Sequence, residues 1–100
     1  MSVLLEFSMF PTDKGESVSP YVSQVIGLIR DSGVSYQLTP MGTVIETTEL
    51  GEALAIVEQA AQLLGDSGCQ RVYSSIKLDI RADKDGRLGQ KIRSVEEKIG

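Results

Sequence analysis

The sequence predicts an α+β fold, because apolar residues alternate at every second position in some segments and recur every three or four positions in others. Residues 2–10 alternate as a strand does, and one of their two faces is fully apolar. Residues 71–81 show the clearest alternation in the chain, with a second face that is polar. Residues 19–32 and 49–64 instead repeat apolar side chains at helical spacing. We expect a single domain over residues 1–100.

The first helix has clear signals at both ends. Ser19 is predicted to cap it, and Pro20 occupies the first helical position, where its missing N–H costs nothing. Gly33 is predicted to end the helix in the left-handed conformation. Its apolar stripe consists of Val22, Val25, Ile26 and Ile29.

A hairpin is expected between the two helices. Residues 35–39 and 43–48 are short and rich in β-branched and aromatic side chains. Pro40, Met41 and Gly42 separate them, which predicts a three-residue connection. The helix that follows is expected to bury one stripe, made of Leu50, Leu54, Val57, Ala61 and Leu64.

The order strand, helix, strand, strand, helix, strand is that of the ferredoxin-like βαββαβ sandwich. Right-handed crossovers in this fold place both helices on one face of an antiparallel four-stranded sheet of order 4-1-3-2. An additional C-terminal helix is predicted over residues 88–99, after the turn-forming sequence DKDG. We expect it to cover an edge of the sheet or to dock on a neighbouring chain.

The charge distribution argues against an anionic macromolecular partner. Residues 1–80 carry ten acidic and four basic side chains, whereas residues 81–100 carry four acidic and six basic ones. A nucleic-acid partner requires a clustered basic face, and the mixed signs of the tail are typical of a solvated helix. We therefore expect neither nucleic-acid nor membrane binding. With no apolar run near ~18 residues and no secretion signal, we expect a cytoplasmic protein.

The side-chain inventory restricts the chemistry. The chain has one cysteine, Cys69, and no histidine. An internal disulfide and a multi-cysteine metal site are excluded, and Cys69 lacks the partner of an activated nucleophile. We expect no metal and no cofactor.

The sheet face without helices is the expected place for function. By alternation it receives Glu6, Ser8, Gln37, Thr39, Tyr73, Ser75, Lys77 and Asp79. Val44 and Glu46 are assigned to the same face, because an unpaired carboxylate beneath the helices would be costly. Glu6, Glu46 and Lys77 then come within reach of one another, although the pattern equally fits three solvent-facing charges.

Apolar side chains share this open face with the charged ones. They are Leu4, Phe10, Val44 and Tyr73. Such a mixture suits packing against a second copy of the chain, with a polar pocket left at the seam. Scattered surface hydrophobic residues are the alternative explanation.

Three stretches resemble the family of thiamine-binding ferredoxin-like proteins, small cytoplasmic proteins formerly known only as an uncharacterised conserved family. They are GESVSPYV (15–22), YQLTPMGTVIE (36–46) and IKLDIRADKDGRLGQKIRSVEEKI (76–99). The resemblance implies a non-enzymatic protein of four chains, assembled as a dimer of dimers. It also implies binding of thiamine or a related pyrimidine near subunit interfaces, in a carrier, storage or regulatory role.

The resemblance also implies site residues. Its motifs carry over onto Ser17, Ser19 and Tyr21 at the first helix, Gly42, Thr43 and Glu46 on the third strand, and Asp79 and Arg81 on the fourth. Thr47 stands where members often have glycine.

Further site residues follow from ligand chemistry. A thiazolium cation suits a carboxylate and a tyrosine face, and a methionine gives an adaptable contact with a ring. These considerations add Glu6, Tyr36 and Met41 to the predicted ligand-binding residues, and their position on the open face adds Ser8 and Lys77.

Two other classes of function compete with this reading. One is a regulatory module that holds an anion at the start of the first helix, near Ser17 and Ser19, where backbone donors favour a phosphate. The other is a carboxylate-based isomerase, since ferredoxin-like domains host several chemistries. The lack of histidine and of a glycine-rich phosphate loop disfavours an enzyme.

Overall fold

Seven elements make up the computed structural model, which describes residues 1–99 except the side chains of Gln90 and Lys91. They are β1 (Ser2–Pro11), α1 (Ser19–Ser32), β2 (Ser35–Thr39), β3 (Gly42–Thr47), α2 (Leu50–Asp66), β4 (Val72–Arg81) and α3 (Arg87–Ile99). The sheet has the order β2-β3-β1-β4, and its three strand pairs are antiparallel. The predicted ferredoxin-like topology is confirmed, since this order is 4-1-3-2 read from the other edge.

The register of the sheet separates a core face from an open face. On the core face Leu5 lies between Ile45 of β3 and Leu78 of β4. Leu5 and Ile45 have no exposed surface, and α1 and α2 pack over them. On the open face Glu6 lies between Val44 and Lys77. The predicted outward orientation of Val44, Glu46 and Lys77 is therefore confirmed.

Helix α1 ends as expected but begins differently. Gly33 has a φ of 82° and donates its N–H to the Arg30 carbonyl, which confirms the left-handed end. The cap residue is Val18, whose carbonyl accepts the N–H groups of Tyr21 and Val22. The prediction that Ser19 caps the helix is wrong, because the helical backbone already includes Ser19.

The hairpin is one residue tighter than predicted. Gly42 pairs with Thr39 and belongs to β3, so Pro40 and Met41 alone form the connection. The Thr39 hydroxyl accepts the Met41 N–H at 3.2 Å and donates to the Gly42 carbonyl at 2.8 Å. A Cβ atom at Gly42 would lie 3.0 Å from the Phe7 carbonyl oxygen, so glycine permits the close approach of β3 to β1.

The buried stripe of helix α2 matches the predicted one only in part, since Leu64 is buried and Leu50 and Val57 pack against the core. The buried residues are Ala53, Ile56, Ala60 and Leu64, whereas Leu54 and Ala61 are exposed. The segment is apolar on several sides, so periodicity alone did not distinguish between adjacent stripes. The alanines face inward because small side chains let the helix approach the sheet closely.

The edge strand β4 keeps an apolar stripe in contact with solvent. Ile76, Leu78 and Ile80 lie on the core face, yet they are 44%, 44% and 46% exposed. The two core-face helices pack mainly over the central strands β1 and β3, whose core-face side chains are buried.

Helix α3 lies across the open face, where it packs against β1, β2 and β3. The prediction that α3 covers a sheet edge is confirmed in part, since α3 contacts the edge strand β2 as well as the central strands. Docking of α3 on a neighbouring chain stays a prediction. Within residues 1–99, no helix is long and apolar enough to cross a membrane.

Candidate functional site

A groove of about 780 Å³ separates the open face of the sheet from α3. We call it the open-face groove. Its floor is formed by Leu4, Glu6, Gln37, Val44, Lys77 and Asp79. Its roof is formed by Leu88, Ile92, Val95 and Glu96 of α3. Apolar surface with a few charged groups is the usual lining of a small-molecule site.

Alternation places two opposite charges side by side on the floor. Glu6 and Lys77 are direct partners in the β1–β4 register. Glu46 pairs instead with Leu4, so it is a diagonal neighbour of Glu6. The predicted proximity of Glu6 and Lys77 is confirmed, while Glu46 lies two residue pairs further along β1 and β3.

The Glu46 carboxylate binds within the chain. It accepts the Ser2 hydroxyl at 2.5 Å and the backbone N–H groups of Arg87 at 2.8 Å and Leu88 at 3.2 Å. Arg87 and Leu88 are the first residues of α3, so Glu46 occupies the anion-favouring end of that helix. Burial raises the pKa of Glu46, but these hydrogen bonds and the nearby Arg87 charge outweigh it, and the net pKa is lowered.

Arg87 is the centre of this cluster. Its side chain is 7% exposed. Its guanidinium donates to the Ser2 hydroxyl and carbonyl, both at 3.0 Å. It also donates to the Asp79 carboxylate at 2.9 Å and to the Asp79 carbonyl at 2.6 Å. We call Ser2, Glu46, Asp79 and Arg87 the Arg87 network.

Sequence reasoning missed Arg87, because it lies in a mixed-charge tail that is typical of a solvated helix. One signal was present. A basic side chain in the first turn of a helix interacts unfavourably with the positive end of the helix dipole, so Arg87 needs acidic or polar partners outside the helix.

Arg81 belongs to the turn after β4. It donates two hydrogen bonds to the Asp83 carboxylate, at 2.9 and 2.8 Å. These bonds lower the pKa of Asp83 to about 2. Asp79 and Arg81, the two predicted site residues of the fourth strand, therefore have different roles. Asp79 belongs to the Arg87 network, and Arg81 stabilises the turn.

A second group of predicted residues lies near the hairpin. Ser8, Met41, Gly42 and Thr43 line a cavity of about 380 Å³ between the hairpin and α1. Thr43 pairs with Phe7 and Glu46 with Leu4, which separates them by roughly 10 Å along the sheet. Tyr36 and Thr43 also face the core side, so neither shares a face with Glu46.

The third group is at the start of α1. Ser17 and Ser19 are exposed, and Tyr21 is half-buried against the core. The thirteen predicted residues thus lie in several places. Three of them, Glu6, Lys77 and Asp79, lie together in the open-face groove.

Known proteins are similar to this chain over most of its length. Residues 5–96 match the model of the family described as thiamine-binding protein. A UPF0045 protein of Mycobacterium tuberculosis is 38% identical over 96 residues, which cover 96% of this chain and 93% of that protein. A UPF0045 protein of Methanothermobacter thermautotrophicus is 36% identical over 83 residues, covering 83% and 84%.

Solved structures show the same fold. A hypothetical protein of Methanocaldococcus jannaschii, 35% identical, superposes with a TM-score of 0.82 over 96% of this chain and 97% of its own. A Thermotoga maritima protein named for thiamine biosynthesis or salvage superposes with a TM-score of 0.81 over 95% and 99%. At 19% identity it supports the fold alone. The match over residues 5–96 shows that this chain belongs to the thiamine-binding protein family.

Proposed function

We propose that this protein binds thiamine or its aminopyrimidine part in the open-face groove and catalyses no reaction. The observation that carries the proposal is a groove with apolar side chains, a carboxylate and an ammonium group on one sheet face. Its volume of about 780 Å³ lies in the range of small-molecule sites. Family membership supports thiamine as the ligand.

The groove suits the two halves of thiamine. The thiazolium ring carries a permanent positive charge, which the Glu6 carboxylate stabilises. The aminopyrimidine ring offers donors and acceptors at its edge, and Gln37 on the floor supplies both kinds of group. Leu4 and Val44 on the floor and Leu88 and Ile92 on the roof contact the ring faces.

A binding role fits the lining better than catalysis does. The side chains that line the described groove include no hydroxyl, thiol or imidazole group. Asp79 is engaged by the guanidinium of Arg87. Glu6, Lys77 and Glu96 are the remaining ionisable groups of the described lining, and they suit recognition of a charged ligand. We propose a carrier, storage or regulatory role in the cytoplasm for this binding.

Isothermal titration calorimetry with thiamine tests the proposal. Wild type is expected to bind thiamine, and Glu6→Gln to bind it about tenfold more weakly, because the amide keeps the shape and loses the charge. Glu58→Gln on the exposed side of α2 is the matched control and is expected to bind as wild type does. The absence of binding by wild type would contradict the proposal. Competition by inorganic phosphate would indicate an anion site instead.

We also propose self-association, as a dimer of dimers. The support is the solvent-exposed stripe of Ile76, Leu78 and Ile80 on the ten-residue edge strand β4, since such edges are normally covered. A chain of 100 residues also gains burial by oligomerising.

Native mass spectrometry tests the assembly. Wild type is expected as a tetramer, and Ile76→Lys as smaller species, because a buried lysine at an apolar interface is costly. Ser75→Lys, on the opposite face of the same strand, is the matched control. Monomeric wild type would contradict the proposal, and tetrameric Ile76→Lys would exclude the β4 stripe as an interface.

A further inference from the structure

Helix α3 is fixed to the sheet at its first turn. Arg87 is 6% exposed, whereas Ile92, Val95 and Ile99 are 42%, 56% and 80% exposed. In α3, the backbone N–H groups that donate to Glu46 are those of Arg87 and Leu88, in the first turn. The open-face groove lies beneath the later turns, whose side chains therefore face the ligand space and not a packed core.

Glu96 lies among these roof side chains. It follows Ile92 by four residues, so both project from the same side of α3. Glu96 is exposed and lines the groove. In the part of the chain that the structure describes, its carboxylate has no hydrogen-bond or ion-pair partner.

The charges of the groove give Glu96 a particular effect. Lys77 is the direct cross-strand partner of Glu6, and Arg87 pairs with Asp79 at 2.9 Å. The opposite charges within each of these two pairs cancel, so the pairs contribute no net charge. Glu96 therefore supplies the excess negative charge of the described groove, and a groove with an excess of one sign selects ligands of the other.

We infer that Glu96 is a specificity-determining residue, which adds a carboxylate to the roof of the open-face groove and selects compact organic cations over neutral molecules of similar shape. This inference rests on the proposed function. Glu6 on the floor holds the ligand from one side, and Glu96 discriminates by charge from the other.

The test compares two ligands in three proteins by calorimetry. Thiamine is cationic, and 4-amino-5-hydroxymethyl-2-methylpyrimidine is neutral and contains the same aminopyrimidine ring. Glu96→Gln is expected to reduce the preference for thiamine roughly fivefold at low salt, with little change for the neutral pyrimidine. Glu97→Gln is the matched control, since Glu97 lies about 100° further round the helix and does not line the groove.

The outcomes separate this inference from the proposed function. Wild type that binds neither compound would contradict the proposed function and this inference with it. Wild type that binds thiamine, together with an unchanged preference in Glu96→Gln, would overturn this inference alone. An equal loss in Glu97→Gln would also overturn it, because the effect would then come from the net charge of the helix.

Discussion

Replacing Arg87 with methionine is expected to lower the free energy of unfolding by about 3 kcal/mol. Methionine keeps much of the buried apolar stem but removes the four hydrogen bonds to Ser2 and Asp79. The Asp79 carboxylate would lose its close cation, and the Ser2 carbonyl would lose a donor. This loss of stability is at the lower end of the range for breaking a buried salt bridge, because the Asp79 side chain is 45% exposed.

Urea denaturation measures this loss, and hydrogen exchange locates it. The rate of amide hydrogen exchange should increase more in α3 than in the four strands, since Arg87 fixes the first turn of α3 to the sheet. Arg93→Met makes the same chemical change at an exposed position of the same helix and should leave stability within about 0.5 kcal/mol of wild type. Equal stability of the two variants would refute the role assigned to the Arg87 network.

Glu46→Gln is expected to cost about 1 to 2 kcal/mol of stability, as the loss of a helix cap does. The amide would turn an NH₂ group toward Ser2 or toward the N–H groups of Arg87 and Leu88, where the carboxylate offers only acceptors. This expectation revises the idea that Glu46 serves a ligand directly. Retained stability with lost thiamine binding would restore that idea.

The pH dependence of stability provides a second readout for Glu46. Its pKa is lowered in the folded protein, so its contribution is fully present above the ordinary glutamate value of about 4.3. The contribution is lost as the pH falls through the lowered folded value. The stability gap between wild type and Glu46→Gln should therefore be constant between roughly pH 5 and pH 7, where the carboxylate is ionised in both the folded and the unfolded state, and should shrink in acid. Glu16→Gln, on an exposed loop, should show no such gap.

Local patterns predicted the sheet well, because alternation decides which face a side chain takes. Leu4 and Glu6 were correctly assigned to the open face, and Gly33 was correctly predicted to end α1. The stripe of α2 was predicted only in part, because Leu54 and Ala61 are exposed. Leu54 is larger than Ala53, yet the helix turns the smaller residue inward.

The candidate site was only partly predictable for a geometric reason. Thr43 and Glu46 are three residues apart on one strand, so they project from opposite faces. A linear motif that contains both cannot describe one pocket within a single chain. Arg87 and Glu96 depend on where α3 docks, and that position follows from contacts between distant parts of the chain.

The Arg87 network also has a consequence for the order of folding. Arg87 and Ser2 are 85 residues apart, and the Met1 ammonium lies 3.1 Å from the Asp85 carboxylate. Closing so long a segment costs more conformational entropy than forming the hairpin does. The partners of Arg87 come from three strands that must first be paired. We therefore expect α3 to dock after the sheet has formed, so that the floor of the groove is exposed to solvent during folding until α3 covers it.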